Sequence, residues 1–286
     1  MFNAILKSQT HHGDLLLIDI NGFYDPEINT WTNVPQISPY VIGLSKEGHS
    51  EKLHYEFIHN YRTNAISEIS HPDYLKELEW APEKKEQIEI AQKSEGITIQ
   101  LEMLLYLKIW EADAFIKRFY QLTRLVNGEE YDWHFKIQES SRDNNSTGSR
   151  QDIIRKLVRE RLKNKYPAIY NSIKKCYKTQ IRNSIAHSNY SFQSRYIHLN
   201  NFIQDDPYSQ LKSISFDDWI DLFHETLVLH NHYIGFFNRV KEHYAKLAEE
   251  QNLLIEIRVN KHYPSKTTEL KDLKYRPEFK DWHWNN

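Results

Sequence analysis

From Trp219 to Leu247 the chain carries Trp219, Phe223, Leu227, His230, Ile234, Phe237, Val240, Tyr244 and Leu247, stepping mostly by three and four residues. Such a stripe spans about eight helical turns. Ser215-x-x-Asp218 stands just ahead of it as a capping-box pattern, so the spacing predicts one very long amphipathic helix. A helix of this length needs partners for its apolar face, and three more helices are legible upstream. Leu101, Leu104, Leu105, Ile109, Phe115, Phe119, Leu122 and Val126 predict a helix from Ile97 to Val126, closed by Asn127-Gly128. Ser149-x-x-Asp152 caps another in front of Ile153, Ile154 and Leu157, ending near Pro167. Asn171 is the N-cap of the next, which carries Ile173, Cys176, Ile181 and Ile185 and finishes with Asn189 in a left-handed position. Four helices joined by short connections are best satisfied as an up-and-down bundle.

The flanks read differently. Leu15–Ile20 and Tyr40–Leu44 are short apolar runs between turn residues, and Leu53–Phe57 alternates with period two, as a half-buried strand does. Residues 74–95 are charged and helical in composition, with Pro82 starting their second part. Residues 139–150 are a small-polar stretch that reads as a mobile loop. Tyr196–Leu199 suits a strand within a hairpin or irregular excursion over 190–214, Leu253–Val259 alternates like another strand, and an aromatic tail follows from Tyr275 to Trp284. The expected architecture is therefore α+β and mainly α. A mixed N-terminal region covers 1–95, the helical bundle 96–250, and a C-terminal strand and tail 251–286.

Composition narrows the class. With 8 glycines in 286 residues, the chain lacks the glycine patterns of phosphate loops and dinucleotide-binding sheets. Its single cysteine excludes a disulfide framework and a cysteine-based zinc site, and fits a reducing, cytoplasmic setting. The longest apolar stretch, Leu15–Ile18, is too short for a signal core or a membrane span.

Charge is nearly balanced at −2, yet unevenly spread. Between Arg150 and Arg182 lie Arg150, Arg155, Lys156, Arg159, Arg161, Lys163, Lys165, Lys174, Lys175, Lys178 and Arg182, against only Asp152 and Glu160, a net +9. A local field of that sign favours a polyanion such as RNA, with Lys174, Lys175, Lys178, Arg155 and Arg159 as candidate phosphate contacts. The run leads into Ile181-Arg182-Asn183-Ser184-Ile185-Ala186-His187. On a helix Asn183 and His187 stack as an i, i+4 pair, whereas Arg182 lies about 140° around the axis from His187. A cleft shared with a second copy of the helix would bring guanidinium and imidazole together. An imidazole that exchanges a proton near neutrality suits general acid–base work, and a guanidinium suits a phosphate or its trigonal-bipyramidal transition state. Glu111, among Trp110 and Phe115, is placed to line the same cleft and hold Arg182.

In these residues the chain resembles the HEPN superfamily, whose four-helix domains carry Arg, a polar residue and then His on the third helix. Here Arg182 and His187 have four residues between them, and Asn183 follows the Arg. The order of a long helix, the motif helix, a hairpin and a Ser215-capped last helix extends the resemblance over about 97–248. The resemblance implies a homodimeric, metal-independent endoribonuclease with no cofactor. RNA would be cleaved through its own 2′-OH, leaving a 2′,3′-cyclic phosphate and a 5′-OH. Arg182 and His187 would be catalytic, with Asn183 positioning the phosphate or orienting His187. Toxins of toxin–antitoxin pairs, abortive-infection proteins and antiviral defence effectors are the implied services, with an antitoxin or regulator as a further partner.

Blander readings stand beside these. The Arg182–His187 stretch also fits a helix that merely ends on a favourable cation, and the basic run fits a solvated face. The bundle without turnover would be a module binding RNA, a nucleotide or a partner protein. Residues 1–95 could also sense an effector to which the bundle responds. His224-Glu225 and His230-x-His232 lack the i, i+4 histidine spacing of a helical zinc site, and His230 reads as a core histidine.

Overall fold

A computed structural model describes residues 2–27, 39–43, 46–64, 70–143, 145–261 and 267–285; Leu44 of the second apolar run and Asn144 of the polar loop lie outside them. In chain order the elements are α1 (Phe2–Ser8), α2 (Asp14–Asp19), β1 (Phe23–Tyr24), β2 (Tyr40–Val41), α3 (Lys46–Asn64) and α4 (His71–Glu77). A 3-10 turn at Pro82–Lys84 leads into α5 (Lys85–Trp110) and α6 (Asp113–Val126). Next come α7 (Arg150–Asp152), a π-helical segment over Ile153–Arg159, α8 (Glu160–Leu162), α9 (Pro167–Cys176) and α10 (Thr179–Ala186). The remainder is β3 (Tyr190–Gln193), β4 (Tyr196–Leu199), β5 (Ser213–Ser215), α11 (Phe216–Glu250), β6 (Leu254–Lys261), β7 (Thr267–Arg276) and β8 (Asp281–Trp284). The fold is mixed, helix-dominated and carries small antiparallel sheets. No described helix is long and apolar enough to cross a membrane.

Packing divides the chain into two units, each discontinuous in sequence. One comprises Met1–Ser50, Asp113–Tyr170 and His230–Asn286, the other Glu51–Ala112 and Asn171–Leu229. Residues 1–95 are therefore shared between them at Ser50, and residues 251–286 group with the N-terminus.

In the first unit α2 is buried along its whole length, including Leu15, Leu16, Leu17 and Ile18. This corrects the strand-like reading of Leu15–Ile20, because an unbroken apolar run does not distinguish a buried strand from a short buried helix. The meander β6-β7-β8 pairs Ile255 with Leu273 and Ile257 with Lys271. Its alternating Ile255, Ile257 and Val259 are buried as the sequence pattern requires. Gly13, the N-cap of α2, lets the chain pass directly over Ile257, whose Cγ2 would clash with any Cβ there. His230 is buried beside Phe115 and Tyr233.

In and around the second unit further expectations are corrected. Leu53–Phe57 belongs to α3; Leu53, Tyr55 and Phe57 are exposed, and Ile58 is buried instead. The helix read from Ile97 to Val126 is two helices, broken at Glu111–Ala112. The buried face of α5 is Ile99, Met103, Tyr106, Ile109 and Trp110, while Leu101 and Leu104 are exposed. Apolar residues surround α5, so counting them did not reveal which face goes inward. The Asn171-capped helix is likewise split at Tyr177–Lys178, with α9 beginning at Pro167, and the left-handed residue after α10 is Ser188 rather than Asn189. Both serine caps form: the backbone N–H of Asp152 donates to Ser149 Oγ (3.3 Å) and that of Asp218 to Ser215 Oγ (3.0 Å).

A candidate active site around Arg182

The motif helix α10 is short and tightly held. Ile181, Ser184 and Ile185 are buried, which turns Arg182 and Asn183 toward partly open surface. Tyr106 of α5 fixes its start. The Tyr106 hydroxyl donates to the carbonyl of Cys176 (3.0 Å) and accepts the backbone N–H of Lys178 (3.3 Å), so one side chain serves both sides of the break between α9 and α10. At the other end the buried Ser184 hydroxyl donates to the Asn189 carbonyl, and the Asn189 N–H donates back to the Ser184 carbonyl (2.7 Å).

Glu111, the residue that follows α5, takes the Arg182 guanidinium in a two-point grip. Nε donates to Oε1, and Nη2 donates to Oε2 at 2.6 Å. The third nitrogen, Nη1, donates to Asn183 Oδ1 at 2.6 Å. Partial burial disfavours the charge on Arg182, but the hydrogen bonds and charge of Glu111 outweigh it and hold the guanidinium more firmly protonated than usual. Planar bidentate pairing of this kind fixes orientation as well as charge.

His187 is the C-cap of α10. Its backbone N–H donates to the Asn183 carbonyl (3.1 Å), and its side chain is exposed with no hydrogen-bond partner among the described residues. The fold thus brings Arg182, Asn183 and Glu111 together and leaves His187 one turn on, open to solvent.

The cationic run is less naked than its composition suggests. In the first unit Arg150 pairs with Asp113 (2.8 Å), Lys156 with Asp152 (2.8 Å) and Arg159 with Glu160 (2.6 Å), while Arg161 pairs with Glu129. Arg155 is half-buried on the π-helical segment. In the second unit Lys174 and Lys175 are exposed on α9. Lys175 Nζ lies 3.7 Å from Glu225, and Lys178 Nζ donates to the Lys174 carbonyl (2.8 Å). Acidic partners from outside the run, Asp113, Glu129, Glu225 and Glu111, therefore spend much of its charge. Among the described residues no group of His, Cys, Asp and Glu is arranged as a metal site.

Tyr106 and Ser184 escaped the sequence reading. Their signal is faint: a tyrosine on an apolar helix face and a serine inside a helix look like ordinary filler until the break and the cap are seen. No family model, curated protein or solved structure matches the chain.

Proposed function

We propose that this chain is a metal-independent endoribonuclease of HEPN type, with α5, α10 and α11 among the elements of its bundle. The observation that carries the reading is the α10 surface itself: a guanidinium fixed by Glu111 and Asn183, with an exposed imidazole at the end of the same helix. In the reaction the ribose 2′-OH attacks the adjacent phosphorus and the 5′-oxygen leaves. One His187 takes the proton from the 2′-OH, and the His187 of a second copy supplies one to the departing oxygen. Arg182 stabilises the charge that grows on the phosphorane oxygens. Two copies meeting through α10 supply the Arg–His proximity that about 140° on one helix does not. Growth arrest or antiviral defence is the service that such an activity would perform.

The test is total RNA incubated with purified protein in EDTA, beside Arg182→Ala and His187→Ala. The parent is expected to release fragments ending in a 2′,3′-cyclic phosphate, and each variant to lose about 10²–10⁴-fold in rate. Equal cleavage by parent and variants would refute it, and so would cleavage of DNA.

One observation favours a second reading. Every nitrogen of Arg182 already has a protein partner, as in a structural ion pair, which suits a bundle that binds RNA without turning it over. That reading expects RNA binding with no cleavage in the same experiment.

A further inference from the structure

Away from Arg182 the second unit contains a groove of about 440 Å³ whose residues the reading above does not use. Gln92, Gly96 and Gln100, each four residues apart on α5, form one wall, and Phe192, Gln193 and Phe216 face it. Gly96 is buried against the Phe192 ring, where a Cβ would stand in van der Waals contact at 3.4 Å. Phe192 and Phe216 meet edge to face, with centroids 5.5 Å apart.

The groove is built at the expense of backbone strain. The β3–β4 hairpin turns through Ser194 and Arg195, both left-handed at φ 48° and 59°, where glycine or asparagine is usual. What holds the turn is an ion network. Arg195 donates two hydrogen bonds to Glu95 (2.9 and 2.8 Å) and two to Asp217 (3.0 and 3.5 Å). Strain retained by surrounding contacts is typical of ligand clamps.

The chemistry of the lining is specific. Arg195 is neutralised by its carboxylates, and Glu89 offsets Lys93 at the rim, so the groove offers no surplus positive charge for a phosphate. It offers three carboxamides that have no protein hydrogen-bond partner among the described residues, beside the half-buried ring of Phe192, which is backed by the buried Phe216. A carboxamide presents one donor and one acceptor side by side, the pattern that pairs with N6 and N7 of adenine. Aromatic side chains take the flat faces of unstacked RNA bases. Topology ties the groove to the candidate site twice. Gln100 lies 11 residues before Glu111 on the same helix line, about 16 Å along its axis, and Phe192 follows His187 by five residues.

We infer that this groove is a base-reading pocket for single-stranded RNA, selective for adenine, with Gln92 and Gln100 as the reading side chains and Phe192 as the stacking surface. The inference deepens the ribonuclease reading and rests on it for RNA as the ligand.

The experiment uses the full chain with His187→Ala, so that RNA survives, and fluorescein-labelled pentamers of A, G, C and U followed by polarisation. The A pentamer is expected to bind tightest. Adding Gln92→Ala and Gln100→Ala, two surface changes on a helix, is expected to weaken the A pentamer about ten-fold and leave the others within two-fold. A 7-deazaadenosine pentamer, which lacks N7, should lose a similar factor on the parent and little more on the glutamine variant. Equal affinity for the four pentamers, or an adenine preference that survives the glutamine changes, would overturn the pocket. These outcomes separate from the cleavage test: a chain that binds A-rich RNA through the glutamines but never cuts it keeps the pocket and loses the ribonuclease. A chain that cuts RNA indifferently to Gln92 and Gln100 does the reverse.

Discussion

Asp14 is buried within α2, and that burial, only partly offset by the backbone N–H it accepts from His11, pushes its carboxyl from 3.8 up to about 7. The folded chain therefore retains a proton between about pH 4 and 7 that the unfolded chain has released. Stability from this group is complete below about pH 4 and is lost as the pH rises through 7, by at most roughly 4 kcal/mol. Asp14→Asn keeps an acceptor for His11 without the charge. Thermal melts should show it more stable than the parent at pH 8, with the gap closing toward pH 4. A gap independent of pH would mean that Asp14 titrates alike in the folded and unfolded chain. Cys176 gives a second expectation at this scale. Burial pushes its thiol up to about 12, so a disulfide reagent at pH 8 should leave it untouched in the native protein and label it fully in denaturant.

Among the elements, α11 shows what was legible and what was not. Its serine cap and its stripe were readable because both are local: Trp219, Phe223, Phe237, Val240 and Tyr244 are all buried, as their spacing requires. The Arg182–Asn183–His187 helix was readable for the same reason. The breaks at Glu111 and Tyr177 were not, since helical spacing continues through them and only tertiary contacts show where the chain turns. The inward face of α5 was hidden by an excess of apolar residues, and Glu102 completes that face. It is buried, which raises its carboxyl, and it accepts hydrogen bonds from Trp219 Nε1 (2.8 Å) and the Tyr61 hydroxyl (3.3 Å). Glu102→Ala should cost about 1–3 kcal/mol in urea unfolding by stranding the indole N–H. Glu102→Gln, which restores an acceptor, should recover most of that loss.

Over the whole molecule, neither unit is a contiguous stretch. Deleting residues 1–95 removes Leu15–Ile18 from one core and Ile88 from the other, so the truncated chain should lose cooperative thermal unfolding rather than yield a free bundle. The ion pairs along 150–182 set a second expectation at this scale. If the chain takes RNA as proposed, then, because Asp113, Glu129, Glu225 and Glu111 already engage part of that charge, its affinity should fall less than about 10³-fold between 50 and 200 mM salt, the mildest loss expected of six phosphate contacts. A steeper decline would require those pairs to open on binding. The hydroxyl of Tyr106 joins two helices to a third. Its oxygen is a hinge pin: by splicing Cys176 to Lys178 from the same rod whose tip grips Arg182, it suspends the motif helix from α5 at two fixed points. Shaving that single atom away with Tyr106→Phe would preserve the packing yet let the suspended segment swing, blurring the aim of Arg182 without touching it.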